Sequence, residues 1–292
     1  MITPPSFTDA LRGSTSVRAV ELRPPPATLD PGAALEAWID FELGVRRLLA
    51  AGHPILLTDD AVGEPEEESL RVLTTHLGSS GALARVVPFL TLRHSLEYCL
   101  LFARRAHSGG FGGVTVTGGD ESSGVPRCLP RSRDLRARIR ERFPDLALGA
   151  WVNPFRDPVE QVELLMDPEH HADYYLTQVV SHHDTGPIAA FLAEARRQGL
   201  ELPGMVGVFH YRSARRATLE RLRAFLPVPV EAVMADFDAG LRPDEIGAAT
   251  ARALLELGIE NLYWCNLGVR DAARRIERIE GHMDCTSGAE RP

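Results

Sequence analysis

The stretch SVRAVELRPPPATLDPG, Ser16 to Gly32, decides between the two large α/β architectures open to this chain. It begins as an apolar, β-branched run, the pattern of a buried strand. In a doubly wound sheet that first strand would run into a glycine-rich nucleotide loop and then a helix. Here Pro24, Pro25 and Pro26 follow instead. Proline, and the residue before it, disfavour an immediate helix, and no G-x-G-x-x-G is present.

Seven more runs of the same kind follow: HPILLTD from His53, ARVVPFLTL from Ala84, GGVTVTGG from Gly112, LALGAWVN from Leu146, YYLTQVV from Tyr174, MVGVFHYR from Met205 and NLYWCNL from Asn261. Stretches with apolar residues three and four apart lie between them, among them GAALEAWIDFELGVRRLLAAG, HSLEYCLLFARRAHSGG, GPIAAFLAEARRQG and SARRATLERLRAFL. Eight strands alternating with helices predict a (β/α)8 barrel. Two helical stretches, VEAVMADFDAG and PDEIGAATARALLELG, precede the last strand, so one of them is an extra element. The barrel is expected to be a single domain over residues 16–280, between an N-terminal extension (1–15) and a C-terminal tail (281–292), both polar and frayed.

The bulk properties narrow the chemistry. At 292 residues the chain is in the range of such barrels, which run to about 250 residues or more. All 32 cationic side chains are arginine, since lysine is absent. That excludes a lysine Schiff base and the usual lysine-bearing P-loop. A net charge of −8 without a basic tail argues against nucleic acid as a partner. No apolar run is long enough for a membrane span and the start lacks the order of a signal peptide, so a cytoplasmic location is expected. The four cysteines are too scattered for a zinc cage or a disulfide framework.

Barrel active sites lie at the carboxyl ends of the strands. The polar residues there are Glu21, Thr58, Asp59, Thr91, Asp120, Asn153, Thr177, Gln178, the run SHHD (Ser181 to Asp184), His210, Tyr211, Arg212 and Asn266. Glu21, set between Val20 and Leu22, is placed to donate a proton, or else faces outward and pairs with Arg18 or Arg23. Asp120 follows two glycines, which let backbone approach a ligand closely; a turn or helix-capping aspartate reads the same way. Gln178 offers one donor and one acceptor edge, suited to a heterocycle or to a neighbouring loop. A metal site fits poorly and none is expected. The histidines of PEHHAD precede their strand and so belong to the opposite face, which leaves His182, His183, Asp184 and His210.

Taken in order, VELRPPP, ILLTDDA, VPFLTL, VTGGD and YYLTQVVSHHD resemble the methylenetetrahydrofolate reductase family, from about Ser16 to Ala273. In that family the first strand reads like F-E-F-F-P-P, the fourth ends in R-G-D and the sixth carries I-T-Q followed by an aspartate. The resemblance implies reduction of 5,10-methylenetetrahydrofolate to 5-methyltetrahydrofolate on a (β/α)8 barrel, in one-carbon metabolism leading to methionine. It assigns Glu21 as the proton donor to N10 and Asp120 as the carboxylate beside the cation at N5. Gln178 would bind the pterin, Thr58 would stand at the end of strand two, and Phe237 would stack on substrate or nicotinamide. Thr91, Asn153 and Phe89 fall on the cofactor side.

The departures concern the flavin. Phe89 stands where the flavin enzymes have histidine, Gly118 replaces the arginine of R-G-D, and WVNPF replaces Y-P-E-x-H. The helix that offers cations to the FAD pyrophosphate reads VEQVELLMDPEHHAD, acidic from Glu160 to Asp173, and acids repel a dinucleotide's phosphates. The expectation is a reductase without FAD, in which NADH or NADPH passes hydride directly to the folate and no metal is needed. An FAD-dependent reductase and a catalytically silent barrel serving as a binding or regulatory subunit stay open, as does a homo-oligomer.

Overall fold

A computed structural model describes residues 6–13, 15–26, 28–58, 67–78, 81–119 and 124–284. In chain order the elements are α1 (Phe7–Arg12), β1 (Arg18–Leu22), α2 (Pro31–Ala50), β2 (Ile55–Leu57), α3 (Glu67–Leu77), β3 (Val86–Thr91), α4 (Leu96–Gly109), β4 (Val114–Thr117), α5 (Ser132–Arg140), β5 (Leu148–Val152) and α6 (Pro158–Met166). There follow β6 (Tyr174–Val180), α7 (Gly186–Gln198), β7 (Gly204–Phe209), α8 (Arg216–Arg223), α9 (Val230–Asp238), α10 (Pro243–Glu256), β8 (Leu262–Cys265) and α11 (Ala272–Asp284). The eight strands are parallel and close in sequence order, with Val20 of β1 in register with Ile55 on one side and Trp264 on the other. The chain is a (β/α)8 barrel, and every strand expected from the sequence is present.

Strand alternation divides the apolar residues between two cores. Val20, Leu22, Val86, Leu90, Val116 and Val208 face outward and meet the helices, while Ala19, Leu56, Val87, Phe89, Leu176, Met205 and Tyr263 fill the lumen. Burial on both faces explains why the strands read as continuous apolar runs. The helices begin and end on local signals. Asp30 caps α2 just before Pro31, Ser95 caps α4, and left-handed Gly110 and Gly199 stop α4 and α7.

Two expectations are corrected. The N-terminal extension is not frayed where the structure describes it: Phe7 and Leu11, one helical turn apart on α1, are 1% and 5% exposed and belong to the lumen core. The Phe7 ring meets Tyr174 edge-on at 5.2 Å. Asn261 clamps the junction, accepting from the Val17 amide at 2.9 Å and donating to the Leu11 carbonyl at 3.0 Å. A barrel bottom lined by apolar residues needs a cover, and α1 supplies it.

The second correction concerns the extra element. Between β7 and β8 two helices, not one, are additional to the outer ring. Leu219 of α8 and Val230 and Val233 of α9 pack into the lumen core with Phe209 and Tyr211, whereas Ala248, Ala251 and Leu254 of α10 join the outer core. The α8–α9 pair therefore caps the carboxyl-terminal mouth, and α10 takes the place in the ring after β7.

One irregularity positions a candidate residue. Between β6 and β7 the register slips: Leu176 pairs with Met205 but Val179 pairs with Gly207, so Thr177 and Gln178 together oppose one residue. Such a bulge re-aims a side chain and is common beside active sites. Without it, Gln178 would share the inward parity of Tyr174 and Leu176; with it, Val179 takes that place. Hydrogen bonds fix the bulge. Thr177 Oγ1 donates to the Gln178 carbonyl at 2.8 Å and accepts from the Gly207 amide at 3.4 Å, and the Tyr263 hydroxyl donates to the Thr177 carbonyl. Gly207 makes room for that hydroxyl, since a Cβ there would lie 2.6 Å from it.

Phe7→Ala should lower unfolding free energy by about 3–5 kcal/mol in urea titrations; a loss below about 1 kcal/mol would show that α1 is dispensable. Gly207→Ala should cost about 1–3 kcal/mol by overpacking and displace Gln178. Unchanged stability and an unchanged Gln178 side-chain resonance would contradict the role given to Tyr263 and Gly207.

Candidate functional site at the barrel mouth

Glu21 points into the barrel, on the same face of β1 as Ala19, and its two oxygens each receive one donor. Thr58 Oγ1, at the end of β2, donates to Oε1 at 2.7 Å, and Cys265 Sγ, at the end of β8, donates to Oε2 at 3.0 Å. Arg18 instead donates to the Glu260 carbonyl. The inward reading of Glu21, and its partnership with Thr58, emerge together. Cys265 was not foreseen. It sits among apolar residues at 7% exposure, and burial, followed by the charge of Glu21, raises its thiol well above the usual range. It remains a neutral donor.

Tyr263, two residues earlier on β8, is also inward, and burial first, then Cys265 and Glu21, raise its hydroxyl well above the usual range. Its bond to the Thr177 carbonyl therefore stays a donor bond. Through Cys265 and Tyr263, β8 connects the acid on β1 to the bulge that carries Gln178 on β6. Gln178 itself uses Oε1 to accept from the Val179 amide at 2.9 Å. A cavity of about 240 Å³ lies beside it, lined by Asn153, Phe155, Gln178 and residues 223–227 of the α8–α9 cap. Another hollow, of about 340 Å³, opens at the opposite face beside α1 and contains none of the candidate residues.

The remaining candidates divide. Asn153 lines the same cavity as Gln178, with Oδ1 accepting from the Phe155 amide at 3.1 Å. Phe89 is 7% exposed and packs edge-on against Trp151 at 5.9 Å, so β3 and β5 form an aromatic wall. Thr91 is 1% exposed, and its hydroxyl receives the Arg93 amide at 3.4 Å within the turn after β3. Phe237, on α9, packs against the lumen core. Asp59 and Asp120 lie outside the described residues.

The two glycines before Asp120 are explained differently from the sequence reading. Arg127 Nε donates to the Gly118 carbonyl at 2.9 Å, and a Cβ on Gly119, whose φ is 70°, would lie 2.6 Å from Arg93 Cγ. The close approach is to the chain's own arginines. Cationic charge thus surrounds the end of β4 although Gly118 has no side chain. In the acidic run after β5, Asp167 pairs with Arg133 at 2.6 Å and Asp173 pairs with Arg140, both below the mouth.

The histidines separate as well. His170 lies before β6, as expected, and burial and the neighbouring Arg136 lower its pKa to about 3. His210, at the end of β7, is 2% exposed and bonds Asp244 of α10 at 3.0 Å. His182 and His183 turn instead toward Asp236 of α9, a partner that lies 53 or more residues away in sequence.

No family model matches this chain, and no curated protein matches it. Solved structures do. One, an uncharacterized protein from Clostridium thermocellum that binds two copies of 5-methyl-5,6,7,8-tetrahydrofolic acid, aligns with a TM-score of 0.62 at 12% identity, covering 95% of this chain and 97% of that one. Another, a dihydrodipicolinate synthase, aligns with a TM-score of 0.51 at 10% identity, over 92% of this chain and 76% of its own. At these identities the likeness is one of fold. No helix among the described residues is long and apolar enough to cross a membrane.

Proposed function

We propose that this chain reduces 5,10-methylenetetrahydrofolate to 5-methyltetrahydrofolate, with hydride passed directly from NADH or NADPH. The observation that carries the reading is the inward carboxylate of Glu21, held between Thr58 and Cys265 at the mouth of the barrel. A barrel of the same fold binds 5-methyltetrahydrofolic acid, the product of this reaction.

The step balances as follows. Glu21 gives a proton to N10 as the bond from N10 to the methylene carbon breaks, leaving an iminium between that carbon and N5. The nicotinamide C4 delivers hydride to the carbon, and oxidised nicotinamide leaves; solvent reprotonates Glu21. Thr58 suits this cycle because a hydroxyl donates to a carboxylate and accepts from a carboxylic acid by rotation alone. Asp120, next in sequence to Gly119 at the end of β4, would stabilise the iminium, a charge-reversed counterpart of an oxyanion hole. Gln178 and Asn153, beside one cavity, would hold the pterin and the cofactor, with Phe89, Thr91 and Phe237 forming the apolar and packing surfaces around them. Holding both reactants in one mouth replaces a shuttle by proximity.

The absence of family-matched flavin residues supports direct transfer: Phe89 is sealed against Trp151 and cannot offer the ring nitrogens of a histidine. One observation favours the second reading, an FAD-dependent reductase, because Arg93 and Arg127 restore positive charge at the end of β4 and would suit a dinucleotide's phosphates.

The purified protein should be colourless and should oxidise NADH or NADPH only when methylenetetrahydrofolate is added. Stoichiometric bound FAD would reject direct transfer in favour of the second reading. Glu21→Gln should lower kcat about 10²–10⁴-fold with an unchanged circular dichroism spectrum and melting temperature; full activity in that variant would remove Glu21 as the acid.

A further inference from the structure

Where the turn after β6 meets α9, three side chains converge that hydride transfer does not use. His183 Nε2 lies 2.7 Å and His182 Nε2 3.5 Å from the same oxygen, Oδ2 of Asp236, and one ligand atom from each residue falls within 4.8 Å of the others. The two imidazoles are tilted by 37° to one another, with centroids 3.9 Å apart. Their side chains are 18%, 23% and 15% exposed for His182, His183 and Asp236, enough enclosure to limit competing water and enough opening for an ion to enter.

Thr250 of α10 packs its hydroxyl against the cluster. Thr250 Oγ1 donates to the Ile246 carbonyl at 3.3 Å, accepts from the His182 backbone amide at 3.3 Å and lies 2.9 Å from His182 Nδ1. With the ring proton of His182 on Nδ1, its Nε2 lone pair faces the Asp236 carboxylate oxygen at 3.5 Å, an arrangement that a cation bridges. His183 can supply one proton to Asp236, and in that tautomer no donor among the described residues answers the Nε2 lone pair of His182. An ion bound by nitrogen and oxygen at about 2.0–2.2 Å in tetrahedral geometry separates its ligand atoms by about 3.4 Å. The His182–Asp236 spacing already has that value, and the shorter His183–Asp236 contact is the hydrogen bond the ion would replace. Thr250 would serve as the outer partner that fixes the ring of a metal-bound histidine.

We propose that His182, His183 and Asp236 bind one divalent transition-metal cation of the Zn2+ class, with water completing the shell. Two nitrogens and one carboxylate suit such an ion better than Mg2+ or Ca2+, which prefer all-oxygen shells. The ion would not touch the folate chemistry. Its ligands come from the turn after β6 and from α9, so it would pin the α8–α9 cap to the barrel next to the cavity of Gln178. Of the residues the sequence leaves at this face, His210 goes to Asp244, and Asp236 of α9 joins His182 and His183.

The test uses tag-free full-length protein stripped with EDTA and titrated with ZnCl2 by calorimetry, with melting temperature read in parallel. One Zn2+ per chain and a raised melting temperature are expected. Asp236→Asn should abolish saturable binding, Thr250→Val should weaken it about 10–100-fold, and Asp184→Asn should leave it unchanged. Metal-free circular dichroism shows whether each variant folds. Wild-type protein loaded with Co2+, which needs no variant, should develop visible ligand-field absorption that Zn2+ displaces. No binding by the wild type, or undiminished binding by Asp236→Asn, would overturn the site. Because none of these readings requires folate or nicotinamide, failure of the reductase reading leaves the result intact, and the reverse also holds.

Discussion

A carboxylate enclosed at the rim of an apolar lumen is the constraint on which the rest of this mouth depends. Glu21 lies on a five-residue strand whose apolar side chains, Ala19, Val20 and Leu22, fill the barrel or pack against helices. An acid there needs donors, because a buried polar group without a partner costs the full price of its lost hydration. Thr58 and Cys265 meet that need from the two strands flanking β1.

The same strand that supplies Cys265 supplies Tyr263, and with it a link to the far side of the barrel. Burial keeps both groups protonated, so each is a dependable donor across pH. Tyr263 holds the β6 bulge open, Gly207 clears space for the tyrosine, and the bulge turns Gln178 toward the cavity under the α8–α9 cap. Acid, bulge and cap therefore form one connected arrangement, in which β8 is the shared support. At the opposite end, Phe7 and Leu11 of α1 cover the lumen.

Much of this was legible in the sequence. Parallel strands buried on both faces leave continuous apolar runs, and prolines after the first of them exclude a nucleotide loop, so the barrel could be read directly. Glu21 and Thr58 were legible because each interrupts or ends such a run. What escaped depends on pairings between distant segments. Cys265 looks like an ordinary apolar residue until β8 is laid beside β1. The bulge at Thr177 and Gln178 exists only relative to β7. Asp236 lies in an unremarkable acidic helix until α9 folds onto the turn bearing His182 and His183, and the purpose of Gly118 and Gly119 is visible only with Arg93 and Arg127 in place. The apolar pair Phe7 and Leu11 did carry a signal, a helical spacing within a stretch otherwise read by its polarity.

Direct hydride transfer at this mouth is tested most sharply by isotope. Single turnovers would be run with NADH deuterated at the transferred position of the nicotinamide C4, methylenetetrahydrofolate and the purified protein in ordinary water. The account predicts one deuterium in the methyl group of the product, with none lost to solvent. Loss of the label to water, as exchange at an intervening carrier would produce, or methyl product formed without deuterium, would contradict it.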